Sequence, residues 1–249
     1  MGLFGHSLPL YQSATGALRS RRGNPVTTAV AKPSSVRIGM EARKARHRLY
    51  PVSLVYSLSS IAVIGLALSR RPWVTIAFYA LGVGFWTAIE YWVHRYILHG
   101  RFPDGPGFFQ HFLHTYFDHL HWEHHKRPWD GNHINGTMAD TLPFLGPLAL
   151  VSFLLPVETL STFLAGLMQA YIVEEWVHHS VHFYRFRGRY FRYIKRHHLY
   201  HHSPKGMNVA YGLSNGFWDV VCRTRIPLPI RRALYGRKLP RRPSPAQAA

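Results

Sequence analysis

Ten histidines stand in four short clusters. His94 and His99 form HxxxxH, His121, His124 and His125 form HxxHH, His178 and His182 form HxxxH, and His198, His201 and His202 repeat HxxHH. Each half of the chain holds five of them. Imidazole is the commonest metal-ligating side chain. Ten crowded imidazoles would repel one another when protonated, whereas metal binding requires the neutral form and removes the conflict. The layout is therefore that of a metal site, and two ions are the natural count. Residues three and four apart share a helical face, so each HxxHH triplet and the His178/His182 pair are expected to converge on one side. His94 and His99 diverge on a straight helix; they meet if His99 lies in an exit turn closed by Gly100.

Imidazole alone does not choose the metal, since iron and zinc both accept it. A zinc hydrolase needs three protein ligands and an open position, and ten histidines exceed that even for two ions. A redox pair of irons acting with O2 on an unactivated C–H bond makes better sense of the count, with zinc able to occupy the same sites after purification. Cys222 is the single cysteine, so disulfides and Cys-based zinc or iron-sulfur sites are excluded. The chain has neither CxxCH nor GxGxxG, so no haem or flavin is expected in it.

The elements that must position these residues are apolar. Residues 52–69 are uncharged and long enough to cross a bilayer as a helix, and Arg70, Arg71 and Pro72 end the run. A second run from Trp73 leads into Glu90 and the first histidines. Residues 142–155 are short and carry Pro143, Gly146 and Pro147; after Pro156 a fourth run, 157–173, leads into Glu174, Glu175 and His178. The plan is an apolar hairpin followed by a His-rich polar segment, used twice. The expected fold is an all-α integral membrane protein with about four transmembrane helices in two hairpins and a His-rich helical cap. An even number of crossings puts every cluster and both basic termini on one side, the cytoplasmic one by the positive-inside rule. Arg70 and Arg71 then fall on the opposite side.

Formal net charge is +19. With so apolar a middle, an anionic lipid surface explains that charge better than nucleic acid, for which no motif is present. Residues 1–49 are expected to be a basic, disordered tail and 226–249 a second basic tail, around a membrane di-metal domain at 50–225. Gly2 lacks the Ser or Thr at the His6 position that myristoylation needs. Met40 opens an alternative start just before the first apolar run.

The segments EYWVHRYILHG, HLHWEHHKRPWD, EEWVHHSVHF, YIKRHHLYHH and YGLSNGFWDVV follow one another in this order. Together they resemble the fatty acid hydroxylase/sterol desaturase superfamily of integral-membrane di-iron enzymes, most closely its fatty acid 2-hydroxylase branch. The resemblance covers residues 50–225. It implies metal ligation by the ten histidines named above and hydroxylation of a fatty acyl chain. His179 and His197 adjoin ligands but fall outside the pattern, and are expected to support them. Glu90, Glu123, Glu174 and Glu175 are candidates to orient an imidazole N–H. His111, His114 and His119 compete with the second cluster in another register, while His6, His47 and His133 are not expected to ligate. Asp130, Trp218 and Asp219 match family text and are read as structural. Some members carry an attached cytochrome b5 domain; none is read here, so electrons are expected from a separate b5-like protein, ferredoxin or reductase. The arginines between Arg185 and Arg196 would meet that donor or lipid headgroups. Sterol desaturation or methyl oxidation and carotenoid hydroxylation share the metal chemistry. A His-rich metal transporter is the reading from another class, and it expects ionisable groups within the crossings.

Overall fold

Ser69, Arg70 and Arg71 form the turn between two antiparallel helices, α1 (Ser35–Leu68) and α2 (Pro72–Trp92), in a computed structural model of the chain. Pro72 opens α2 at no cost, because the N–H it lacks has no intrahelical acceptor there. The structure describes residues 34–236, and the expectations for Gly2, His6 and the tails at 1–33 and 237–249 lie outside them.

Both helices are long and apolar enough to cross a membrane. Leu54, Leu58 and Ile61 on α1 and Ile76, Leu81 and Phe85 on α2 face outward. Trp73 and Trp92, both exposed, mark the two ends of α2. They stand about 28 Å apart at 1.5 Å per residue, close to the thickness of a hydrocarbon core.

Helix α1 starts well before its apolar run. Ser34 caps it by accepting from the Arg37 N–H, and residues 35–49, read from their charge as part of a tail, form its first turns. Ala42 and Ala45 explain this: they pack on Ile134 and Phe183. Their small side chains let the backbone approach Gly131, where a Cβ would sit 2.1 Å from the Glu41 carbonyl oxygen. Met40 lies within this helix.

The third and fourth runs become α5 (Met138–Ser152) and α6 (Leu160–Phe183). Helix α5 is about 22 Å long and shorter than a hydrocarbon core. Helix α6 packs between α1 and α2 and is buried along most of its length. Gly82 and Gly166 bring α2 and α6 together, since a Cβ on either would lie 2.0 or 2.2 Å from a carbonyl oxygen of the other helix. Gln169 Nε2 and Trp176 Nε1 donate to Ser60 and Ser53 of α1 at 3.1 and 3.0 Å. Close small-residue contacts and interhelical hydrogen bonds are how helices associate where water supplies no driving force. At the end away from the histidines Arg71 pairs with buried Glu158 at 3.3 Å. The two turns therefore lie together, and the charge of Arg71 there is matched.

At the other end stand α3 (Phe108–Leu113), α4 (His119–Lys126), α7 (Arg189–His201), α8 (Phe217–Val221) and α9 (Leu228–Tyr235). All regular elements among the described residues are helical.

Candidate metal centre

His94 and His99 are brought together by a widened turn. Residues Val93–Leu98 continue α2 as a π-helix, and the His99 N–H donates to the His94 carbonyl at 3.1 Å. One inserted residue per turn puts positions five apart on one face. The pair needs this π turn in addition to the expected helix exit.

The ten histidines gather into two groups of five. His94, His99, His121, His125 and His201 form one, and His124, His178, His182, His198 and His202 the other; within each, the ligand atoms lie within 4.8 Å of one another. The expectation that each HxxHH triplet converges on one side does not hold. Positions one and five of each motif join one group, and position four joins the other. Helices α4 and α7 thus lie between the centres, and each group borrows one imidazole from the other half of the chain. His125 and His202 stack across the boundary with ring centroids 4.3 Å apart.

Every one of the ten turns its Nε2 inward. His121 Nε2 lies 3.0 Å from those of His94, His99 and His125. In the second group the His178–His124, His182–His198 and His202–His198 separations are 3.0, 2.8 and 3.0 Å. A neutral imidazole has one N–H, so it cannot satisfy three such neighbours. Two nitrogens each about 2.1 Å from one ion and at right angles lie about 3 Å apart, which matches these spacings. The donor set fits an imidazole-bound transition metal.

Two backbone carbonyls fix tautomers. His94 Nδ1–H donates to the Tyr211 carbonyl and His201 Nδ1–H to that of Val209 at 2.8 Å, so both Nε2 atoms carry lone pairs. Ala210, between the two carbonyls, is fully buried and left-handed with φ 61°. Its N–H donates to the Thr224 carbonyl at 2.8 Å. Asp219 holds this strap by accepting from the Tyr211 and Gly212 N–H groups, the Thr224 hydroxyl and His197. Burial raises the Asp219 carboxyl, but these donors outweigh it and hold the group below its usual range. Glu90 takes the next stretch, accepting from the N–H groups of Leu213 and Ser214 at 2.6 and 2.7 Å and from the Ser214 hydroxyl.

Burial and the facing imidazoles keep the rings neutral. Burial and then His201 push His99 down to about 3. Burial brings His201 to about 4 against its bond to Val209, and His124, His198 and His202 fall well below their usual value for the same first reason.

The expected supporting residues have other partners. Glu90 anchors the strap, Glu123 pairs with Lys126 and Arg127, and Glu175 accepts from Asn135 and Gly136. Glu174 is buried, and no imidazole hydrogen-bonds it among the described residues. His179 faces Tyr184 at 3.4 Å, and His197 supports the strap through Asp219 at 3.1 Å. His111 bonds Asp104 and His114 the Phe102 carbonyl, outside both groups. His133 bonds Asp130, and His47 packs against Tyr50. Spacing gives no sign of Val209, Ala210 and Tyr211, which act through backbone; the YGLSNGFWD text begins at Tyr211 and leaves Val209 and Ala210 without a trace.

A fatty acid hydroxylase family model matches residues 79–224. The chain is 30% identical over 151 residues to fatty acid 2-hydroxylase of Macaca fascicularis, covering 60% of this chain and 39% of the relative. It is 30% identical over 146 residues to a dihydroceramide fatty acyl 2-hydroxylase of Arabidopsis thaliana, covering 58% and 59%. A ceramide very long chain fatty acid hydroxylase of Schizosaccharomyces pombe is 32% identical over 158 residues, covering 62% and 44%. The chain spans about two fifths of the length of the mammalian relatives it matches. The solved structure of full-length scs7p, with only its hydroxylase domain visible, has the same fold: TM-score 0.60 at 24% identity, over 72% of this chain and 67% of that one.

Proposed function

The chain belongs to the fatty acid hydroxylase family, and on that premise we propose that it is a membrane-bound di-iron lipid hydroxylase. It inserts one atom of O2 into a C–H bond of a fatty acyl chain, at carbon 2 of a free fatty acid or sphingolipid acyl group. The observation that carries this reading is two adjoining groups of five imidazoles at the end of helices long and apolar enough to cross a membrane. The relatives named above are fatty acid or ceramide hydroxylases, which favours acyl hydroxylation over the sterol, carotenoid and metal-transport readings.

The balance is R–H, O2, two electrons and two protons giving R–OH and water. Iron, when bound, supplies the electrons that make dioxygen reactive toward an unactivated C–H bond. His94, His99, His121, His125 and His201 would hold one ion, and His124, His178, His182, His198 and His202 the other. The Tyr211 and Val209 carbonyls keep His94 and His201 in the ligating tautomer. The outward apolar faces of α1, α2 and α5 seat the protein in the same lipid layer that holds the acyl chain. We read each apolar hairpin as entering and leaving the membrane on one side, so that the centres face the cytoplasm, where a separate b5-like protein, ferredoxin or reductase delivers electrons.

The test is lipid mass spectrometry on cells carrying the intact chain or its His201→Ala/His202→Ala variant. Lipids heavier by one oxygen, absent with the variant, support the reading. Lipids lighter by two hydrogens move it to desaturation, and an unchanged lipidome with altered cellular metal moves it to transport.

A further inference from the structure

A small, open pocket lies between α7, α8 and α9. Its polar lining is Tyr193, His197, Asp219, Arg225, Arg231 and Tyr235. Arg225 and Arg231 have no carboxylate partner among the described residues. Asp219 is the carboxylate in the lining, and its oxygens are already engaged by the strap, Thr224 and His197. The Tyr235 hydroxyl is buried without a hydrogen-bond partner among the described residues. Burial pushes the Tyr235 and Tyr193 phenols up, so both stay O–H donors. Two guanidinium forks and two phenols around one space offer donors and positive charge without a matching anion, and planar guanidinium groups suit phosphate oxygens.

The pocket's level in the fold indicates where such an anion comes from. Trp218 of α8 donates to Thr87 of α2 at 3.2 Å, on the hydrocarbon side of exposed Trp92. Helix α8 exposes Phe217, Val220 and Val221 there, and Arg223 and Arg225 follow. Apolar side chains beside arginines at the end of a crossing match acyl chains beside headgroups.

We propose that this pocket binds the phosphate of an anionic phospholipid, with Arg225, Arg231, Tyr193 and Tyr235 as its donors. The same chemistry would take free phosphate. Because Asp219 and His197 belong to both pocket and strap, occupancy stabilises the strap that fixes His94 and His201.

The experiment is thermal melting of the purified full chain in detergent with phosphatidic acid, phosphatidylcholine or inorganic phosphate. Phosphatidic acid should raise the melting temperature by several degrees and phosphatidylcholine should not. The gain should vanish in Arg225→Gln/Arg231→Gln, shrink in Tyr235→Phe, and persist in Arg37→Gln on α1. Tyr235→Phe alone decides the matter if the double variant does not fold. Inorganic phosphate matching phosphatidic acid at equal concentration supports the site with free phosphate as its source. Equal stabilisation by phosphatidylcholine, or a gain undiminished in Tyr235→Phe and the double variant, overturns the proposal.

Discussion

His201 and His202 are consecutive in sequence, yet their imidazoles belong to different centres. His201 Nε2 faces that of His99 at 2.9 Å, and His202 Nε2 faces that of His198 at 3.0 Å. His201→Ala and His202→Ala should each lower metal content by about one ion per chain while leaving the other centre filled. Activity should fall at least about 100-fold in both, since lost supporting partners alone cost 10–100-fold. Metal analysis of the purified variants checks this; loss of both ions from either one would show that the centres fill together.

Asp219 is the anchor of the carbonyl strap. Asp219→Ala strands the Tyr211 and Gly212 N–H groups and His197. Buried unsatisfied groups cost about 1–3 kcal/mol each, so a loss on the order of 3 kcal/mol is expected after relaxation. Metal retention under a chelator should fall about 10–100-fold with it. Unchanged retention would mean that the strap does not orient His94 and His201.

Acid should loosen the metal-free protein in a defined window. Folding lowers His201 to about 4 and His99 to about 3, chiefly by burial. Below the unfolded imidazole value of about 6.5 the unfolded chain binds protons that the folded centres refuse. Stability is therefore fully present above that value and is lost progressively as pH falls from it toward the folded values, below which these groups cost nothing more. Urea melts at pH 8, 6 and 5 should show a plateau and then a decline, and a midpoint flat to pH 5 would refute the assignment of neutral buried rings.

Gly82 and Gly166 set the distance between α2 and α6. Gly166→Val places carbon within the space of the Tyr79 carbonyl, which a Cβ would approach to 2.2 Å. The helices must separate, at a cost of about 1–3 kcal/mol. Melting temperature in detergent should drop, and Gly65→Val, whose Cβ site is open, should not change it.

The ten imidazoles were legible in the sequence because four short histidine motifs in one chain are hard to explain otherwise. Their division between two centres was not. On an α-helix position i+3 lies about 60° to one side of position i and position i+4 about 40° to the other. That difference is unimportant on a helix facing one site, but α4 and α7 lie between two, where it sends His124 and His201 to opposite groups. The π turn at Val93–Leu98 was visible only as an awkward five-residue spacing. Val209 and Tyr211 contribute carbonyl oxygens, which every residue has, so side-chain type could not reveal them. The first turns of α1 were hidden because arginines and lysines dominate a stretch whose buried residues are mainly alanines.

The central claim is that oxygen from O2 enters a lipid at these two centres. Growth of cells expressing the chain under isotopically heavy O2, followed by mass spectrometry of their hydroxylated lipids, tests it most directly. The account predicts one heavy oxygen in each product hydroxyl and no such product from the His201→Ala/His202→Ala variant. A hydroxyl oxygen drawn from water, or a labelled product that persists in the variant, would contradict it.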